Sequence, residues 1–168
     1  MSNRQHDTRN ESFRGDPGGE EGLTSTEAEG VLGCTFANTS AELQEVVQRL
    51  LDFLDRQGVV GRPAYVVNLA VEELATNILK YGYDDEQLHR ISLRLEVQPE
   101  AVVVSLEDDG HAFDPLTAPA PAGAAEDREP GGLGLALIRR LSKDMRYERR
   151  AGKNLSTVIV DRHAAEED

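Results

Sequence analysis

The residues of this chain best placed to do chemistry stand in Glu72-Glu73-Leu74-Ala75-Thr76-Asn77-Ile78-Leu79-Lys80. Wound as a helix, the stretch sets Glu73 and Asn77 one turn apart on one face, with Lys80 three residues further on. A carboxylate, an amide oxygen and an ammonium are thereby aligned. Hard oxygen atoms suit a magnesium ion, the amine suits phosphate, and the carboxylate suits a base acting on a nucleophile. Val67, Val71, Leu74 and Ile78 form an adjacent apolar stripe that would bury the helix against a core. The same spacing also fits an ordinary amphipathic helix with a solvated charged face.

Two downstream segments add to this. Glu107-Asp108-Asp109-Gly110-His111-Ala112-Phe113-Asp114-Pro115 follows the apolar run of residues 101–106 directly, which puts carboxylates at the carboxyl end of a buried strand, where ligand crevices open in layered folds. A polar turn capping the strand is the alternative. Residues 116–130, rich in Ala and Pro and without periodicity, read as an active-site lid or a simple insertion. They end in Pro130-Gly131-Gly132-Leu133-Gly134-Leu135, after which Leu137, Ile138, Leu141 and Met145 mark a helix. Glycines at a helix entrance offer backbone N–H groups at the positive end of its dipole, a natural seat for phosphate.

The elements that must hold these groups are legible around them. Val31 to Ala37 reads as a strand, and Thr39 with Glu42 three residues later reads as a capping box. Leu43, Val46, Val47, Leu50, Leu51 and Leu54 then recur at helical spacing up to Gly58. A Gly61-Arg62-Pro63 turn leads into the organising helix, predicted from Ala64 to Tyr81 and closed by Gly82. Residues 90–98 alternate as a strand with one wet face, and residues 101–106 return as its hairpin partner across Pro99-Glu100. Residues 146–150 and 155–161 read as a closing hairpin around Ala151-Gly152-Lys153-Asn154.

Composition narrows the class. The 168 residues suffice for one domain with a sizeable core. Residues 1–30 lack periodicity and are expected to be a disordered tail, residues 31–162 the folded domain, and residues 163–168 an acidic tail. Cys34 is the single cysteine, so no internal disulfide forms, and its expected place is inside a strand. A net charge of −13 opposes binding to a phosphate backbone, so nucleic acid is not an expected partner. No apolar run is long enough to span a bilayer and no leader opens the chain, which predicts a cytoplasmic protein without a membrane partner.

Taken in order, Glu73 and Asn77 on a helix, Asp108-Asp109-Gly110 with Phe113 after a strand, and Gly131-Gly132-Leu133-Gly134 at a helix entrance resemble the N-box and the two glycine boxes of the GHKL ATPase superfamily. Within it, Glu-Glu-Leu-Ala-Thr-Asn-Ile, Phe-Asp-Pro-Leu and Gly-Gly-Leu-Gly-Leu-x-Leu-Ile-Arg are similar to the RsbW-type anti-sigma factor serine/threonine kinases. The resemblance implies an α+β fold, a two-layer sandwich with helices on one face of a mixed, mostly antiparallel sheet, and ATP held between the helices and a lid. It implies that Asn77 is the magnesium ligand and Glu73 the general base toward a serine or threonine hydroxyl. Asp108, with Asp109 as fallback, would accept a hydrogen bond from the adenine amino group, and Gly110 would let adenine lie close. Phe113 would belong to the same nucleotide site. Gly131, Gly132, Leu133 and Gly134 would surround the phosphates, with Lys80 approaching them. Arg128, the only basic residue of the lid, is a candidate for neutralising charge on the transferred phosphate, or a solvated loop arginine. Ala112 departs from the pattern, where a second glycine is usual. The implied partner is a STAS-domain antagonist; a sigma factor as second partner and homodimerisation are left open. No histidine is placed to accept phosphate, which disfavours a histidine kinase. A non-catalytic nucleotide-binding adaptor is the rival reading, and the presence of Glu73 argues against it, since a pure binder needs no base.

Overall fold

The computed structural model describes residues 22–118 and 133–164. In chain order they form β1 (Thr24–Ala28), β2 (Val31–Ala37), α1 (Ser40–Arg56), α2 (Arg62–Tyr81), β3 (Arg90–Val97), β4 (Ala101–Asp108), α3 (Leu133–Leu141), β5 (Asp144–Arg150) and β6 (Lys153–Asp161). The strands make one six-stranded sheet in the order β1-β2-β3-β4-β6-β5. The fold is the expected α+β sandwich; every described strand pairing is antiparallel, so the parallel part of a mixed sheet does not appear among the described residues. No helix among them is long and apolar enough to cross a membrane.

Strand parity builds the core. Leu32, Cys34 and Phe36 on β2, Ile91, Leu93 and Leu95 on β3, Val102, Val104 and Leu106 on β4, and Val158 and Val160 on β6 all point to one face and are buried there. The helices cover that face with Leu43, Val46, Leu50, Phe53 and Leu54 of α1, Val67, Ala70, Val71 and Leu74 of α2, and Leu135 and Ile138 of α3. Of the stripe predicted for α1, Leu51 instead lies exposed, and Phe53 takes an interior place. Thr39 caps α1 as expected, its Oγ1 accepting from Glu42 N at 3.3 Å. Glu42 reaches back past the cap to the N–H of Ala37, so the cap also pins the end of β2.

Three boundaries differ from the sequence reading. Residues 24–28, expected in a disordered tail, form edge strand β1. All five are exposed, so no apolar alternation marks them. Their hold is the backbone ladder to β2, with Arg49 donating to Ser25 Oγ at 2.5 Å and Arg56 pairing with Glu27 at 2.7 Å. Met145, read as the last turn of a helix, is a buried residue of β5, because α3 stops at Leu141. The closing hairpin turns on Ala151 and Gly152 alone, both at positive φ (51° and 77°), and Lys153 and Asn154 belong to β6. His163 is held by Nε2 on the Pro99 carbonyl at 2.9 Å; residues 165–168 lie outside the described ones.

Candidate nucleotide site

Helix α2 brings the first site residues into place. Gly61, at φ 64°, turns the chain into the helix, Pro63 pre-sets its first turn, and Gly82 N–H closes it on the carbonyl of Ile78 at 2.9 Å. With Val71 and Leu74 buried, Glu73 and Asn77 fall at the border of the buried face and are half-buried, while Lys80 is exposed. Asn77 lines a cavity of about 80 Å³ between α2 and the ends of β4 and β6. Its Nδ2 is buried with no hydrogen-bond partner, and among the described residues nothing donates to its Oδ1. Lys80 does not line this cavity.

Gly134 explains where Glu73 lies. A Cβ built on Gly134 would fall on Cγ, Cδ and Oε2 of Glu73, so the carboxylate rests against the first turn of α3 in space that only glycine leaves open. Leu133, at the helix start, is half exposed. Arg128, Gly131 and Gly132 lie outside the described residues, as does most of the expected lid.

Strand parity sends the two aspartates to opposite faces of the sheet. Asp108 continues the row of Val102, Val104 and Leu106, so it points toward the helices, and it is only 6% exposed. Its Oδ1 accepts from Gly110 N at 2.9 Å and from Asn154 Nδ2 at 3.0 Å; no described donor meets Oδ2. Asp108 lines the cavity and Asp109 does not. Asp109 turns outward to accept from Tyr83 Oη at 2.8 Å, and His89, stacked on Tyr83 at 3.7 Å, lies 3.7 Å from it. Burial, then the hydrogen bond to Asp109, pushes the Tyr83 phenol well above its usual range.

Gly110 packs closely on another part of the chain. A Cβ there would sit 2.7 Å from the Gly82 carbonyl, which also accepts from His111 N at 2.8 Å, so the glycine lets the β4 exit pack on the end of α2. The cavity wall is made instead by His111, Ala112 and Phe113. The side chain of Ala112 is therefore accommodated where the family pattern has glycine.

One residue of the site escaped the sequence reading, and another entered it only as the end of a motif match. Asn154, placed there in a turn, is 3% exposed and faces Asp108 in register across β4 and β6. The available signal was parity: it shares a row with Val158 and Val160. Arg139 on α3 donates from Nη1 to the Leu116 carbonyl and from Nη2 to the Ala118 carbonyl, both at 3.0 Å, tying the chain leaving the cavity wall to α3. It closes the Gly-Gly-Leu-Gly-Leu-x-Leu-Ile-Arg match, where no role was read from it, and Arg140 beside it is solvated.

A concave site with one buried acceptor at its floor and an uncommitted amide oxygen on its wall is that of a small-ligand-binding α+β domain; Glu73 and the described residues of α3 do not line it. The model of the histidine kinase-like ATPase domain matches residues 36–160, and the chain belongs to that family. Among its relatives, the serine/threonine-protein kinase BtrW of Bordetella bronchiseptica is 32% identical over 109 residues, covering 64% of this chain and 75% of BtrW. The serine-protein kinase RsbW of Bacillus subtilis is 27% identical over 114 residues, covering 59% of this chain and 69% of RsbW. In structure, the chain is similar to the RsbU and RsbW domains of Rv1364c from Mycobacterium tuberculosis, with a TM-score of 0.55 and 19% identity over 78% of this chain and 32% of that one.

Proposed function

We propose that this protein is a magnesium- and ATP-dependent serine/threonine protein kinase that phosphorylates a STAS-domain antagonist and, in its other state, acts as an anti-sigma factor. The observation that carries the reading is a cavity with Asp108 at its floor and Asn77 on its wall, together with the Glu73 carboxylate, which lies outside the cavity lining, one turn before Asn77 on α2 and against the first turn of α3. Kinases named BtrW and RsbW among the relatives support it.

Adenine fits the floor, where Asp108 Oδ2 accepts from its amino group. Asn77 suits magnesium, since its oxygen is a hard donor that no described group claims and its buried Nδ2 leaves the amide without a competing structural task. Bound there, magnesium would neutralise charge on the phosphates. Glu73 takes the proton of the partner's serine or threonine hydroxyl. That oxygen then bonds to the γ-phosphorus as the bond to the bridging oxygen breaks, and ADP leaves. The N–H groups of α3's first turn suit the phosphate charge. A phosphate added to the antagonist brings charge and a desolvation cost to its interface, which is how one transfer would exchange partners.

The test is transfer of label from γ-labelled ATP, with magnesium, onto STAS-domain proteins of the same organism. Wild type should label a serine or threonine. Glu73→Gln should bind ATP and fail to transfer, and Asn77→Ala should lose the magnesium-dependent part of ATP binding. ATP binding without any transfer by wild type would overturn the kinase reading in favour of a nucleotide-binding adaptor.

A further inference from the structure

We infer that Arg139 is a positioning residue for the cavity: it fixes the Phe113 end of the cavity wall to α3, so that ligand affinity depends on its two-pronged bond to the backbone rather than on its charge. The inference rests on the reading of the cavity as a nucleotide site. The wall residues His111, Ala112 and Phe113 are secured differently at their two ends. At the first, His111 N donates to the Gly82 carbonyl at 2.8 Å, and the His111 carbonyl accepts from the buried Asn154 Nδ2 at 2.8 Å. Beyond Phe113 the chain folds into a turn of its own. Asp114 Oδ1 accepts from Leu116 N at 2.9 Å, and the Asp114 carbonyl accepts from Thr117 N and Ala118 N, both at 3.2 Å. Pro115 inside the turn is buried, so residues 114–118 hold together as one piece next to Phe113.

Among the described residues, Arg139 is the one side chain from outside residues 112–118 that hydrogen-bonds to them. Its Nη1 and Nη2 take the Leu116 and Ala118 carbonyls, and its Nε lies 3.3 Å from the Leu135 carbonyl of its own helix, which sets the plane of the guanidinium. No described carboxylate pairs with it. All three nitrogens thus meet backbone carbonyls. A planar fork can bridge two carbonyls at once, whereas an ammonium on a flexible stem is a single point. Helix α3 is anchored in the core by Leu135 and Ile138, so the clamp ties a surface turn to a fixed element. A wall fixed before the ligand arrives spares the cost of ordering it on binding.

The test measures affinity of the full chain for magnesium-ATP by calorimetry, with thermal melting to score folding. Arg139→Ala leaves the buried face of α3 intact, so the melting temperature should stay within about 4 °C of wild type while affinity falls about tenfold. Arg139→Lys keeps the charge and the apolar stem and loses the fork; it should still bind ATP at least about threefold more weakly than wild type. Wild-type affinity in Arg139→Lys would overturn the inference, because charge alone would then suffice. Arg140→Ala removes an equal charge from the solvated neighbour and should leave affinity within about twofold; a loss as large as that of Arg139→Ala would overturn the inference too. In the Phe113→Ala background, Arg139→Ala should cost less than about threefold more, since the wall residue it places is gone, and losses that multiply would refute action through Phe113. Unchanged ATP affinity in Arg139→Ala would overturn the inference and leave the nucleotide reading standing. Wild type that binds no ATP would overturn that reading, and the inference with it.

Discussion

The contact between Gly134 and Glu73 makes the sharpest prediction, because one methyl group should separate folding from chemistry. In Gly134→Ala, the new Cβ falls on Cγ, Cδ and Oε2 of Glu73, with no backbone atom among its nearest neighbours. Glu73 can yield by changing rotamer, at about 0.5–1.5 kcal/mol. Alanine gains roughly 0.8–1 kcal/mol over glycine within a helix. The two nearly cancel, so the melting temperature should stay within about 4 °C of wild type. Transfer should behave otherwise. A displaced general base costs about 10²–10⁴ in rate, and single-turnover transfer at saturating ATP should fall by that factor while ATP affinity changes less than about threefold. The double variant with Glu73→Gln should be no slower than Glu73→Gln alone, since both changes remove one function. Transfer within threefold of wild type in Gly134→Ala, or multiplied losses in the double variant, would refute the assignment of Glu73 as a base held against α3.

Two further outcomes concern stability. Ala151 holds φ 51° at the first position of a two-residue hairpin turn, where alanine is disfavoured and asparagine is at home, so Ala151→Asn should stabilise the protein by about 0.5–1 kcal/mol, read as a shift in urea midpoint at unchanged slope. Burial pushes the Cys34 thiol above its ordinary range, with the charge of Arg49 opposing the shift only in part. The folded state thus keeps a proton that the unfolded chain releases above about pH 8.5, so stability should decline as pH rises from 8 to 9.5, and Cys34→Ala should flatten that slope.

How far the sequence could be read depended on whether burial left a periodic mark. The caps and stripes of α1 and α2 and the alternation of β3 could be read because each buries one regular face. Strand β1 could not, since all five of its residues are exposed and its order comes from a ladder formed with distant β2 residues. Asp108 was distinguishable from Asp109 by counting in twos from Val102, but only once β4 was carried through to Asp108 rather than ended at Leu106. Asn154 was hidden by the same kind of error. With the turn drawn over four residues instead of two, it lost its place in the row of Val158 and Val160. Arg139 could be seen only as the last residue of the Gly-Gly-Leu-Gly-Leu-x-Leu-Ile-Arg match, and its role was hidden because two of its partners are backbone carbonyls more than twenty residues earlier.

These particulars show how the site arises from the core rather than being attached to it. On β4 the interior row runs Val102, Val104, Leu106 and then Asp108; on β6 it runs Val160, Val158, and then Ser156 and Asn154. The register places Leu106 opposite Ser156 and Asp108 opposite Asn154, so both strands turn polar at the same end. Helix α2 follows suit, passing from Val71 and Leu74 to Asn77 at that level. A smaller, polar end of the sandwich cannot close as the apolar part does, and the cavity is what remains. Its floor carries a carboxylate with one oxygen bonded twice and the other meeting no described donor. That second oxygen faces no competing partner, so a ligand N–H can take it without displacing a bond of the fold. Under the proposed nucleotide reading it is where the amino group of the base would bind, at a position that strand parity would otherwise give to the core.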